Sequence, residues 1–196
     1  MFSRNVSRDI LNVVIDEETV RRKTKEIAEQ VSLDYEGKDL TLICIMNGAV
    51  FFAVDLLREL KIHAGLDFIS VSSYHGGTES SGKVILIRDI EADLSDRHVL
   101  LVDDIFDSGR TMDFVVNHIK AKGALSVRTC SLLDKPSRRV LPLELDYRGF
   151  TIPDVFIVGY GMDYKVDYRQ LPFIGELKPE VYQNSGKKKL ALACSF

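Results

Sequence analysis

Between Asp103 and Thr111 the chain carries three carboxylates (Asp103, Asp104, Asp107), then Ser108, Gly109, Arg110 and Thr111. Small hydroxyl residues leading into a helix make a ready anion site, because the first N–H groups and the positive dipole end both point at the ligand. Three aspartates in the same loop would repel a phosphate unless they had another task. That tension marks the segment as a candidate for chemistry. Simpler uses exist for each residue. Asp107 or Ser108 could be an ordinary N-cap, worth about 1 kcal/mol. Asp103 and Asp104 could bond loop amides, or belong to a phospho-acceptor pocket. That pocket wants its acidic pair near the first strand, whereas this pair lies mid-chain.

The elements that must position this loop are legible on either side of it. Val99, Leu100, Leu101 and Val102 form an apolar run that reads as a strand buried on both faces, as in a parallel sheet. After the loop, Met112, Val115, Val116 and Ile119 fall at helical spacing, with Gly123 as the stop. Helices are also expected over residues 17–32 and 50–60, and strands over 40–46, 65–71, 84–87, 126–133 and 155–158. Strands alternating with helices predict an α/β fold around a parallel sheet. In such sheets ligands bind outside the carboxyl ends of the strands, where the 103–111 loop begins. Residues 72–82 are polar, rich in glycine and serine and without period, hence a long loop.

Length and composition bound the rest. The 196 residues make one domain, or one with a small appendage, and allow a substantial core. A net charge of −3 gives no case for general nucleic-acid binding. Cys44, Cys130 and Cys194 are far apart, odd in number and without metal spacing, as suits a reducing cytoplasm. No run has signal-peptide or membrane-span length, so no membrane partner is expected. Cys194 lies third from the end, so no prenylation box is expected. Residues 179–196, with Lys187, Lys188 and Lys189, have little core-forming content and are expected to be a mobile tail.

Residues 99–111 resemble the 13-residue phosphoribosyl diphosphate (PRPP) signature of type I phosphoribosyltransferases. Three further stretches, 72–74, 132–139 and 152–164, are similar to the hypoxanthine-guanine (6-oxopurine) branch. The likeness runs from about Val13 to Glu176. It implies a central parallel sheet flanked by helices, with a small hood from segments near both ends, all within residues 1–178. It also implies Mg²⁺ as cofactor, PRPP and a purine base as substrates, and a homodimer or homotetramer.

The resemblance further implies roles, residue by residue. Backbone N–H groups of residues 107–111, with the Ser108 and Thr111 hydroxyls, would hold the 5′-phosphate; Gly109 shapes that loop and Arg110 could add charge. Asp103 and Asp104 would meet the ribose hydroxyls directly or through Mg²⁺. The family usually has Glu-Asp there, and Asp103 is one methylene shorter. Asp107 would be the general base that takes the purine proton at N7. Met46, Asn47 and Gly48 correspond to the diphosphate loop, which in the family contains a non-proline cis peptide and often a lysine or arginine in place of Asn47. Arg169 would also meet the diphosphate. Lys135 would donate to O6 of the base, Phe156 would stack on it, and the Ile157 and Asp163 backbones would reach its edge. The Asp163 carboxylate matches a Mg²⁺ contact. Ser73 and Tyr74 match a closing lid. Without the resemblance, Lys135, Asp163 and Arg169 read as solvated charges, Phe156 as core and 72–82 as a connector. Two rival readings are xanthine as an additional or preferred base, and an RNA-binding regulator on the same fold, which would need a basic, aromatic-bearing face.

Overall fold

The computed structural model describes residues 6–73 and 84–183. Tyr74, residues 75–82 of the expected lid, and the Lys187–Lys189 run lie outside them. In chain order the elements are α1 (Val6–Asp9), β1 (Ile10–Ile15), α2 (Glu17–Asp34), β2 (Leu40–Met46), α3 (Val50–Glu59), β3 (Ala64–Ser73) and β4 (Val84–Arg88). Then follow β5 (His98–Phe106), α4 (Arg110–Ala121), β6 (Ser126–Asp134), β7 (Tyr147–Thr151), β8 (Ile157–Val158), β9 (Ile174–Leu177) and α5 (Pro179–Gln183). The chain divides into two compact units: Arg21–Asp154, and the two chain ends up to Val20 and from Val155 onward.

The larger unit is built on a six-stranded sheet in the order β4-β3-β2-β5-β6-β7. Strands β3, β2, β5, β6 and β7 pair in parallel, and only the edge strand β4 runs antiparallel. The sheet is therefore mixed at one edge. The apolar runs of β2 and β5 take its centre, where both faces are covered, so neither strand needs a polar side. Helix α4 lays Met112, Val115, Val116 and Ile119 against a core that includes Ile43, Ile69, Leu101 and Phe106. One helical stripe thus supplies the burial that holds the loop before it in place.

Strand β5 does not stop at Val102. It continues through Asp103 and Asp104 to Phe106, paired with β6 up to Phe106↔Asp134. Its pairing with β2 ends at Cys44↔Val102. Asp103 and Asp104 are therefore strand residues, positioned where β5 still has one neighbour and has lost the other. Parallel ladder bonds to β6 outweigh the low strand propensity of aspartate.

The smaller unit carries an antiparallel sheet in the order β1-β9-β8, over a core of Val158, Tyr168, Leu171 and Leu177. This is the hood built from segments near both ends. Of the strand expected over 155–158, only Ile157 and Val158 are strand, and Phe156 lies just before it. The tail expected from residue 179 begins with the short helix α5.

Candidate active site

The order β4-β3-β2-β5-β6-β7 sends the chain leftward from β2 to β3 and rightward from β5 to β6. Between β2 and β5 the connections diverge, and a crevice opens at their carboxyl ends. A cleft of about 270 Å³ lies there, lined from β2 by Ile45 through Gly48 and from β5 by Asp103 through Gly109, with Thr111 and Met112 from α4. The larger unit thus gathers the expected Met46, Asn47, Gly48, Asp103, Asp104, Asp107, Ser108, Gly109 and Thr111 in one cleft.

The two adjacent carboxylates have unequal surroundings. Asp103 is buried, 6% exposed, and its Oδ1 accepts the Asp104 N–H at 3.0 Å. Burial first, and then the charge of Asp104, push its carboxyl well above the ordinary carboxylate range. Burial, with these two carboxylates adding, also pushes the Cys44 thiol up to about 12. Asp104 faces the β2 loop. A Cβ at Gly48 would stand 1.8 Å from Asp104 Oδ2, so only glycine permits this approach. The Met46–Asn47 peptide just before it is cis.

Two hard oxygen donors side by side, one of them driven toward its protonated form, fit a divalent cation. Mg²⁺ usually takes one or two carboxylates and completes its shell with water and substrate phosphate. Among the described residues, no three or more His, Cys, Asp or Glu side chains gather as a metal cage.

The turn after β5 is capped differently from the simplest expectation. Gly109, at φ +87°, is the N-cap of α4, and no side chain caps the helix. Neither Asp107 nor Ser108 is an N-cap; the Ser108 Oγ accepts the Arg110 N–H, at 3.4 Å. A helix N-terminus without a side-chain cap, opening on a cleft, is suited to an anion.

Asp107 has a buried Oδ1 that accepts no hydrogen bond. Arg138 Nε lies 3.2 Å from that oxygen and Arg138 Nη1 lies 3.3 Å from Asp154 Oδ1. The Asp107 contact is an ion pair without hydrogen-bond alignment. Lys135 Nζ lies 3.8 Å from the same Asp154 oxygen. Burial holds the Lys135 ammonium below the ordinary lysine range, with Asp154 and Asp107 opposing. A buried lysine so placed is not a solvated surface charge.

Arg139, the second of two adjacent arginines after β6, braces the loop. Its guanidinium covers the Phe106 ring 3.3 Å from the centroid, and Nε donates to the Asp107 carbonyl at 3.0 Å. Asp134 pairs with it, and the Ser108 carbonyl accepts the Val140 N–H at 3.0 Å. The run Lys135-Pro136-Ser137-Arg138-Arg139 shows that cations stand near β6. It does not show which of them turns back to the 107–108 loop.

The smaller unit holds the remaining candidates. Phe156 is 38% exposed, not core, and Tyr164 meets it edge-on at 5.7 Å. Ile157 is buried in β8 opposite Glu176. Asp163 Oδ1 pairs with Arg169 at 2.8 Å. Asp163 Oδ2 accepts the Val166 N–H, and Arg169 donates to the Gly161 carbonyl. Within this loop Lys165, Val166 and Tyr168 all have positive φ. For Val166, β-branched and 80% exposed, that is a strained conformation of the kind that concentrates at functional loops. In the larger unit, Ser73 ends β3 opposite Val84 of β4.

The phosphoribosyl transferase domain family matches residues 15–165. The hypoxanthine-guanine phosphoribosyltransferase of Lactococcus lactis is 43% identical over 182 residues, covering 93% of this chain and 99% of that protein. The bifunctional protein TilS/HprT of Listeria innocua is 43% identical over 92% of this chain, which spans 29% of that longer protein. A crystal structure of a hypoxanthine phosphoribosyltransferase from Staphylococcus aureus superimposes with a TM-score of 0.88 at 40% identity, covering 93% of this chain and 99% of that one. The chain belongs to the type I phosphoribosyltransferases, in the hypoxanthine-guanine branch that serves purine salvage.

Proposed function

We propose that this phosphoribosyltransferase joins the 5-phosphoribosyl group of PRPP to N9 of hypoxanthine or guanine, giving IMP or GMP and diphosphate. The observation that carries the reading is Asp107. Its side chain is 39% exposed and lies beside the Arg138 guanidinium, at the lip of a cleft that ends on a helix N-terminus. Joining a purine through N9 requires loss of a ring N–H proton, and a carboxylate within reach of N7 takes it.

The other residues follow from the charge each step creates. Backbone N–H groups at the start of α4, with Ser108 and Thr111, hold the 5′-phosphate and set the register of the sugar. Asp103 and Asp104 bond the ribose hydroxyls, and the negative charge of Asp104 favours the oxocarbenium-like transition state at C1′. Asp103 and Asp104, with the Asp163 carboxylate, would hold Mg²⁺, which would supply positive charge for the diphosphate. Arg169 and the backbone of Met46–Gly48 bind that leaving group. Lys135, an ammonium with donors and no acceptor, bonds O6, while Phe156 stacks on the ring. Backbone groups of Ile157 and Asp163 meet the edge of the base. Cys44 and Cys130 are free and buried, which suits a cytoplasmic enzyme; among the described residues no helix is long and apolar enough to cross a membrane.

The test is Asp107→Asn. Turnover is expected to fall roughly 10²- to 10⁴-fold, while IMP binds as before, because asparagine keeps the loop shape and removes a charge beside the phosphate. Near-normal turnover would take Asp107 out of the base role.

A further inference from the structure

Phe156 does not stand alone. The ring of Tyr182, on α5, stacks on it with centroids 4.8 Å apart and planes 20° from parallel. Tyr164 meets its edge at 88°. Parallel and edge-on contacts are the two geometries aromatic rings favour, and together they fix both the tilt and the height of the Phe156 ring. One face is taken by Tyr182, so the exposure that Phe156 retains has to lie on the opposite face and the rim. A flat heterocycle fits that face and would complete a three-layer stack.

The backing ring is itself anchored. Helix α5 begins with Pro179, whose fixed φ suits a first helical position. The Val181 N–H bonds the Lys178 carbonyl at 3.0 Å, and the Lys178 N–H bonds the Asp9 carbonyl at 2.9 Å. Val181 and Tyr182 pack against the Val158, Leu171 and Leu177 core. The Leu177 N–H bonds the Phe156 carbonyl at 2.8 Å, which ties β9 to the platform.

We propose that Tyr182 is a positioning residue for purine binding, its ring backing Phe156 so that the opposite face is held ready for the base. An unsupported phenylalanine would have to be ordered by the ligand, at the ligand's expense in affinity. The proposal rests on the reading that Phe156 carries the base, and it assigns a task to a chain end that composition marks as a tail. Tyr182 touches no reacting atom, so its effect belongs in base affinity and not in the chemical step.

Steady-state kinetics on the full chain test it with three variants. Tyr182→Leu should raise KM for hypoxanthine and for guanine roughly 3- to 10-fold, the worth of one aromatic pair. It should leave kcat, KM for PRPP and the melting temperature near wild type. Tyr182→Phe should restore the base KM, because the ring and not the hydroxyl does the backing. Phe156→Leu should raise the base KM at least as much as Tyr182→Leu. If Phe156→Leu raises it and Tyr182→Leu does not, the positioning role is wrong and the Phe156 platform stands. If Phe156→Leu leaves it unchanged, platform and backing fall together. If Tyr182→Leu shifts the PRPP KM and the melting temperature as much as the base KM, Tyr182 is a general packing residue and the proposal is overturned.

Discussion

Strands β5 and β6 lie side by side, run in parallel and both carry acidic residues at their carboxyl ends, yet the two ends have opposite character. At the end of β6, the Asp134 side chain is 3% exposed and sits between Arg139 and Arg148. Its charge is met within the protein. At the end of β5, Asp103 is nearly as buried, but its neighbours are a backbone N–H and the carboxylate of Asp104. Its charge is opposed by its surroundings. A buried carboxylate with two cations holds structure together; one driven toward its protonated form is suited to a ligand or cation that arrives from outside. The same strand geometry thus yields a brace on one strand and a site on the next.

Substitutions can break or sharpen this contrast. The largest effect is expected from Gly48→Ala, which drives a Cβ into the Asp104 carboxylate. Displacing that group by more than an ångström should lower kcat/KM for PRPP about 100-fold, with little change in melting temperature. A normal kcat/KM would show that the Gly48–Asp104 approach has no part in binding. On the β6 side, Asp134→Asn should behave in the reverse sense. Chemical denaturation should show a loss of about 2 kcal/mol, since two charge-assisted contacts weaken. Turnover per folded molecule should fall far less than for Gly48→Ala. A large loss of turnover at unchanged stability would make β6 part of the site.

The smallest effect concerns Asp103 and depends on pH. A carboxyl held above its unfolded value binds its proton more tightly in the folded chain, so stability is present at low pH and declines as pH rises through the ordinary carboxylate range toward the folded value. Asp103→Asn removes that decline. Without ligand or metal, the melting temperature of the variant relative to wild type should therefore climb as pH is raised from about 4. A difference that is flat with pH, or that falls, would contradict the environment described for Asp103.

Much of the framework was legible because it rests on apolar runs. The strand expected over 40–46 is β2 to the residue, and the four apolar positions of α4 are all buried. Where charge interrupts the run, legibility ends. Asp103 and Asp104 hid the last four residues of β5, since only pairing with β6 makes them strand. The short strands β1, β7 and β9 escaped notice for a related reason. Glycine and polar residues in β7 and β9, and exposed positions in β1, leave no sustained alternation.

The site divides in the same way. The 103–111 loop announces itself by residue type, and the helix that follows fixes where it points. The approach of Gly48 to Asp104 joins residues far apart in the chain and has no local signature. Arg139 could not be told from Arg138 in sequence, although one covers Phe106 and the other pairs with Asp107. Tyr182 carries no motif. Its stack on Phe156 exists only because β9 and α5 return the chain there.

Transfer of a phosphoribosyl group to a 6-oxopurine is read out by diphosphate release from PRPP with hypoxanthine, guanine, xanthine and adenine, each with Mg²⁺ and with a chelator. Hypoxanthine and guanine should release diphosphate only with Mg²⁺. Under the proposed Lys135 contact to O6, adenine should be slower by at least about 10³-fold, because its 6-amino group presents donors where that contact needs an acceptor. Xanthine should be poor if, as proposed, the backbone near Ile157 and Asp163 meets the edge of the base, since carbonyls there would repel its 2-oxo group. Adenine turned over as fast as hypoxanthine would overturn the role of Lys135, and no diphosphate from any of the four bases would contradict the account.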